Sequence, residues 1–282
     1  MDLDRLQAGA LRGLLRLLRP LPFHARQTVT GQVTEALVRL SPSLRNRALD
    51  NLAHVRPDMS MAQRRALTLA AARNVGRSLA AIWFAPDAAR ACRGEPIHGP
   101  GLAVLDRAKA EGRGAIVVSG HYGEWDTIRH LLRERGLEVG ALYRPNNNEH
   151  YDPIFLAGIE VAGGPIVPRG TKGFRVMLRH VRDGGFMALL PDQAMRDGTP
   201  LRFLGRPALT SLNAAELALR YDVPLVPAFA PRIDGRPRVT IQAPIPRTDP
   251  ATMMQDFNDR LSERVNAHPE QWHWFHRRWK GT

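Results

Sequence analysis

His121 stands in the stretch Ser119–Asp126, SGHYGEWD, directly after the apolar run Ala115–Val118. That run reads as a strand, and in open α/β sheets ligands bind at the carboxyl ends of strands. An imidazole placed there can take a proton from a hydroxyl or an amine during attack. It works as a base when a carboxylate holds its other ring nitrogen and so selects the tautomer. Asp126, five positions on, can return toward the ring across a strand-to-helix turn. The competing reading is a capping histidine, with Asp126 as an ordinary acid in the first helical turn. No serine or cysteine nucleophile is required if the substrate brings its own. Glu124 is a further acid in the stretch, but no other spacing joins it in a metal site, so neither metal nor cofactor is expected.

Two more positions fall at expected strand ends. Arg144 follows a second strand in Tyr143–Asn148, YRPNNN, where its guanidinium can hold a phosphate through two hydrogen bonds. Asp192 lies in the Pro191–Gln193 triplet, PDQ, after Phe186–Leu190. It can orient Arg144 or bond a polar head group. Each of these residues, taken alone, also reads as an ordinary turn residue. The closing stretch Pro269–Lys280, PEQWHWFHRRWK, interleaves tryptophans with cations. Such a pattern suits a nucleic-acid platform, an interfacial belt, or aromatics docked on the domain.

The elements that position these residues follow from hydropathy periods. Residues 1–87 read as helical and as a region able to associate with a membrane, and Ser60 reads as a cap. Leu11, Leu14, Leu15, Leu17 and Leu18, spaced among Arg12, Arg16 and Arg19, form a basic amphipathic segment ended by Pro20. Residues 88–282 alternate strands with helices: strands near 114–119, 137–143, 164–168, 186–191 and 224–230, helices near 126–135, 152–162, 173–182, 211–220 and 252–267. Residues 238–244 read as an edge strand, and Thr210 and Ser211 as helix caps. The alternation predicts an α/β fold with a largely parallel central sheet flanked by helices.

The chain has 282 residues and a formal net charge of +13, nearly all of the positive charge being arginine. A charge that large predicts anionic partners. A single cysteine, Cys92, excludes an intrachain disulfide and a multi-cysteine metal site. No run approaches the ~20 apolar residues of a membrane span, and arginines break every apolar run near the N-terminus, as no secretory signal would allow. The expected place is the cytoplasmic face of the membrane, peripherally bound. No helix-turn-helix, zinc-finger or RNA-binding signature supports a nucleic-acid partner.

The ordered set GHYGEWD, YRPNNN, PRGTKG, LLPDQ, FLGRPALTS and PEQWHWFHRRWK, with NLAHVRPDMS before it, resembles the late acyltransferases of lipid A biosynthesis, the lauroyl and myristoyl transferase family. The resemblance spans roughly Asn51–Lys280. It implies a fold like that of the glycerolipid acyltransferases. It also implies transfer of a fatty acyl chain, from acyl carrier protein or acyl-CoA, to a hydroxyl of an anionic lipid A precursor. Carried over by motif, His121 and Asp126 form the catalytic dyad, and Arg144, Asp192, Gln193 and Glu124 contact substrate. Many members carry an asparagine or an apolar residue in place of Glu124. The family's second arginine after YRP is missing from Phe155–Gly164, where Arg169 is the candidate substitute. Other acceptors, such as another glycolipid or a lysophospholipid, remain open, and a non-catalytic anion- or nucleic-acid-binding protein is the rival class. The glycerolipid PEG motif is absent, with PDQ in its region.

Overall fold

A computed structural model describes residues 2–281; Met1 and Thr282, which bound the two expected regions, lie outside the described residues. Five helices come first: α1 (Leu3–Leu18), α2 (Phe23–Leu40), α3 (Pro42–Val55), α4 (Met61–Trp83) and α5 (Ala85–Ala91). Ser60 begins α4 as expected. Its hydroxyl accepts from the Gln63 amide while the Gln63 side chain accepts from the Ser60 N–H, a reciprocal capping box.

The alternating part follows. It runs β1 (Ile97–His98), α6 (Gly101–Ala110), β2 (Ala115–Val118), α7 (Thr127–Glu134), β3 (Val139–Tyr143), α8 (Asp152–Glu160), β4 (Ile166–Pro168), α9 (Thr171–Arg182) and β5 (Phe186–Leu189). After these come β6 (Thr199–Phe203), β7 (Arg206–Thr210), α10 (Asn213–Arg220), β8 (Leu225–Phe229), β9 (Arg232–Ile233), β10 (Arg236–Pro237), β11 (Val239–Ile241), α11 (Pro250–Ala267) and a 3₁₀ turn at Pro269–Gln271. Seven strands form the central sheet in the order β1-β11-β8-β2-β5-β3-β4, parallel except where β11 meets β8. The α/β class with a mostly parallel sheet, flanked by helices and preceded by a helical region, is the one the periodicity predicts.

Every residue of the central strand β2 is buried, as a parallel strand covered on both faces must be. Ala115 and Val117 enter the apolar layer shared with α6 and α7, while Ile116 and Val118 enter the one shared with α10, α11 and the closing tryptophans. The period of two along a strand produces this split.

Five short strands, β1, β6, β7, β9 and β10, were not legible in the periodicity. β6 and β7 form a hairpin whose turn is Leu204 and Gly205, both at positive φ (49° and 79°). Two positive φ values define the tight turn that matches strand twist, but leucine gives no local sign of it. β9 and β10 join through Asp234-Gly235, a strong hairpin signal, yet each strand has two residues and shows no alternation. β1 adds the edge, so β11, expected as the edge strand, lies second from it. Thr210 ends β7 instead of capping α10; its hydroxyl donates to the Ala208 carbonyl and accepts from Asn258 and Arg278. Ser211 accepts from the Asn213 N–H just ahead of α10.

Candidate active site

The sheet register sets the rim. Val118 of β2 pairs with Leu189 of β5, Ala141 of β3 with Ala188, and Tyr143 with Pro168 of β4. Chain leaving these strands carries His121, Asp192, Arg144 and Arg169 out on one edge, where parallel sheets present their ligands.

His121 is held by a turn that needs glycine. Gly123 has φ +61°, and a Cβ there would lie 2.1 Å from the Ala230 carbonyl oxygen. The turn pairs with the closing segment: the Gly123 N–H donates to the Gln271 carbonyl and the His273 N–H to the His121 carbonyl, with Tyr122 and Trp272 bridged antiparallel. Gly120 keeps the approach to Asp192 open, since a Cβ would come 3.2 Å from Asp192 Oδ2 and closer still to Leu261.

The carboxylate opposite His121 is Asp192. His121 Nδ1 lies 2.7 Å from Asp192 Oδ1. Asp192 Oδ2 accepts the His121 backbone N–H at 2.8 Å and the Trp272 indole N–H at 3.0 Å. Asp192 is 0% exposed. Burial alone would raise its carboxyl, but the His121 imidazole and its hydrogen bonds outweigh that and hold the group well below the usual carboxylate range. A carboxylate only accepts, so His121 Nδ1 carries the hydrogen and the neutral ring leaves a lone pair on Nε2. The Trp125 ring packs edge-on to the imidazole at 5.3 Å.

Asp126, the expected partner, does not pair with His121. Gly123 turns the chain outward, and Asp126 enters α7 facing inward. It pairs with Arg129 at 2.9 Å and approaches His130 at 3.9 Å. Arg129 is 3% exposed and also donates to the carbonyls of Val139, Ile159 and Gly163. Asp126 lines a small cavity of about 10 Å³ with Ser78, Glu124 and His130. Its visible work is to neutralise a buried arginine that ties α7 to β3 and α8. Glu124 is likewise buried, bonded to Gln27 of α2, Thr127 and Arg232, so it fastens the helical region and is not turned to the rim.

Arg144 is exposed and, among the described residues, bonds the Asn147 side chain alone, at 2.7 Å. Arg169 donates to the Met195 sulfur at 3.0 Å, and its backbone N–H to the Tyr143 carbonyl. The two arginines leave adjacent paired strands. Gln193 places its side-chain amide 3.3 Å from His121 Nε2.

The sequence reading missed Trp272, His273 and His276. Trp272 and Trp274 are fully buried and Trp279 nearly so, stacked among themselves and on Phe203. This excludes an aromatic belt or a stacking platform for bases. The signal available was alternation: in an extended segment Trp272 and Trp274 share one side and His273 the other. The rings of His273 and His276 lie 4.0 Å apart, and that of His276 lies 5.0 Å from His121. Burial first, then the neighbouring His121 imidazole, pushes His273 down to about 3. Burial and the neighbouring imidazoles press His276 down as well. Cys92 is buried, its thiol pushed up to about 12 by burial first and nearby glutamates second. A thiol in that state is no nucleophile. Among the described residues no group of three or more His, Cys, Asp or Glu could hold a metal.

The arrangement is a largely parallel α/β sheet whose rim carries a histidine oriented by a buried carboxylate, with no serine, threonine or cysteine side chain bonded to that histidine among the described residues. Residues 6–281 match the family described as bacterial lipid A biosynthesis acyltransferase. The chain belongs to that family and is an enzyme that transfers acyl groups. It is 26% identical to the lipid A biosynthesis acyltransferase of Haemophilus influenzae, over 92% of this chain and 83% of that one. It is 28% identical to the lipid A biosynthesis lauroyltransferase of Escherichia coli, over 79% and 75%. A phosphatidylinositol mannoside acyltransferase of Mycobacterium tuberculosis is 26% identical over 64% of this chain and 58% of its own.

Proposed function

We propose that this enzyme moves a fatty acyl group from a thioester donor, acyl carrier protein or acyl-CoA, to a hydroxyl of an anionic lipid A precursor, with His121 as general base and Asp192 as the carboxylate that orients it. The observation that carries this reading is the 2.7 Å contact between His121 Nδ1 and a fully buried Asp192. In the neutral imidazole this contact puts the lone pair on Nε2, on the side away from the carboxylate. The acceptor hydroxyl gives its proton to Nε2 as its oxygen attacks the thioester carbon. Asp192 steadies the imidazolium and does not take the proton. Collapse of the tetrahedral intermediate expels the thiolate, which takes the proton back. Arg144, with Arg169 on the neighbouring strand end, is suited to an anionic group of the lipid.

The helical region 1–87 is proposed to place the α/β region 88–282 on the cytoplasmic face of the inner membrane. Leu3, Leu6 and Leu17 are exposed on α1, Leu17 by nearly four-fifths, among Arg5, Arg12, Arg16 and Arg19 of the same segment; Leu37 and Leu40 are exposed at the end of α2. Leucine and arginine together suit an anionic interface. The closing tryptophans, buried, contribute nothing to it. No helix among the described residues is long and apolar enough to cross a membrane.

The test is transfer of a labelled acyl chain from acyl carrier protein to a lipid A precursor, with mass spectrometry of the product. His121→Ala should cost about 10²–10⁴-fold, the range for a general base. Transfer at the wild-type rate by a folded His121→Ala protein would refute the reading. An acylated mannoside instead of lipid A would keep the chemistry and move the acceptor toward that of the mycobacterial relative.

A further inference from the structure

The side-chain amide of Gln193 stands between two imidazoles. Its nitrogen lies 3.3 Å from His121 Nε2 and 2.9 Å from His276 Nε2. The hydrogens follow from the buried end of the chain of contacts. Asp192 accepts from His121 Nδ1, so Nε2 holds a lone pair and the group facing it must be a donor. That places the NH₂ of Gln193, not its oxygen, between the rings, with one N–H toward each. His276 Nε2 must then also be unprotonated. A buried imidazole beside two others is held neutral in keeping with this.

We propose that Gln193 is an oxyanion-hole donor for the thioester carbonyl, and that His276 positions it. The assignment rests on the acyl-transfer reading of His121. When the acceptor hydroxyl docks on the single Nε2 lone pair and gives up its hydrogen there, the Gln193 N–H that lies 3.3 Å from Nε2 at rest is displaced from it. The Gln193 N–H loses its acceptor in that step. In the same step the new C–O bond pushes the carbonyl π pair onto oxygen, creating an acceptor that was not there before. The shorter bond to His276 remains and serves as a pivot, and the freed N–H turns onto the oxyanion.

Reach supports the exchange. The attacking oxygen must bond Nε2 and lie about 3–3.5 Å from the carbonyl carbon. The carbonyl oxygen is then within one swing of an amide already touching Nε2. Gln193 exchanges one hydrogen bond for another and moves no proton. Departure of the thiolate, which reclaims the proton from Nε2, restores the lone pair and returns the amide to the ring. A donor that pairs with the base at rest and with the oxyanion in the intermediate stabilises the transition state more than the ground state, the condition for raising kcat.

The test uses the full chain and steady-state transfer from a labelled acyl thioester. Gln193→Met keeps length and volume but has no donor. It should lower kcat by about 10²–10³-fold, as loss of one oxyanion donor does elsewhere, with KM for donor and acceptor little changed. His276→Phe should lower kcat by less. Added to Gln193→Met, it should cost nothing further, because its effect passes through the amide. Thermal unfolding, with Gln193→Ala as a second variant, confirms that the proteins fold. A Gln193→Met kcat at or above wild type would overturn the proposal and leave the amide only as a cover on the resting base. A loss confined to KM would overturn it in favour of substrate binding, and multiplicative losses would remove the role of His276. His121→Ala in the same assay separates the two levels. If it transfers at the wild-type rate, the base reading fails. If it is inactive while Gln193→Met is normal, the oxyanion assignment alone fails.

Discussion

Replacing Asp192 by asparagine tests the pairing of base and carboxylate, because the outcome is set by which atoms can only donate. Asp192 Oδ2 receives two fixed donors, the His121 backbone N–H and the Trp272 indole N–H, while Oδ1 receives His121 Nδ1. Neither fixed donor can reverse. In Asp192→Asn the amide oxygen therefore takes their side, and the NH₂ faces Nδ1. Nδ1 must then become the acceptor, which moves the ring hydrogen to Nε2, the atom that has to accept the substrate's proton. A base locked in the wrong tautomer costs about 10⁴-fold in kcat where this has been examined in other enzymes. A loss of that order is expected, with KM nearly unchanged because no substrate contact is removed. Asp126→Asn provides the contrast. It discharges the partner of a buried arginine that stays bonded to three carbonyls, and a hydrogen bond to a charged group contributes about 1.5–3 kcal/mol. The stability of that variant should fall by this order while the surviving folded enzyme keeps its kcat. Initial-rate kinetics and urea unfolding on both proteins give the answer. Full activity in Asp192→Asn, together with an inactive but undiminished Asp126→Asn fold, would refute the argument and restore the dyad expected from spacing.

Arg144→Lys keeps charge but loses the planar fork; it should raise the acceptor KM with little change in thermal stability, and Arg144→Ala should do so further. Binding to anionic vesicles should weaken with salt and leave an apolar remainder; Leu17→Glu should reduce that remainder, as read by sedimentation. Stability should fall in acid, with this sign: an unfolded histidine takes a proton near 6.5, whereas His273 in the fold takes one only at about 3. The unfolded chain therefore binds more protons as pH drops. The stabilisation is complete above 6.5 and is lost from there toward 3, by about 1.4 kcal/mol per pH unit for each such imidazole. Urea midpoints at pH 7.5 and 5 check it, and His273→Phe should flatten the slope.

The rule that ligands gather at strand ends placed His121, Arg144, Asp192 and Gln193 on one rim before any coordinates, because strands are the part of this chain whose period is plain. The pairing within the rim was not legible. Spacing describes a turn that could curl back, and it does not know that Gly123 sits at φ +61° against Ala230. The carboxylate that bonds His121 lies in the loop after the neighbouring strand β5, 71 positions away, where only sheet order brings it near. Glu124 stands in the same motif yet serves the opposite purpose, bonded beneath the turn to α2 and to Arg232. The closing segment was the hardest to read. Its tryptophans and cations fit a membrane surface as well as a core, and burial decides between them only once β6, β7 and α11 are in place to cover the rings.

The helical region reaches the site through backbone contacts, which gives it work beyond any at a membrane. Asn51 of α3 donates to the carbonyls of Trp274 and His276 at 2.7 and 2.6 Å, and Arg47 to that of Phe275. Asn74 of α4 donates to the Gln271 carbonyl, and the Ser78 hydroxyl to that of Gly123. These donors occupy carbonyls of an irregular strand that has no full sheet partner, and a buried carbonyl left unpaired is costly. They also fix the two places on which the base depends: the turn carrying His121 and the strap carrying Trp272 and His276. Misplacing a reacting group by about 1 Å can cost about 10²-fold. The His121 site is thus assembled from the turn after β2, the loop after β5 and the closing strap, and α3 and α4 hold the strap and the turn in register with each other.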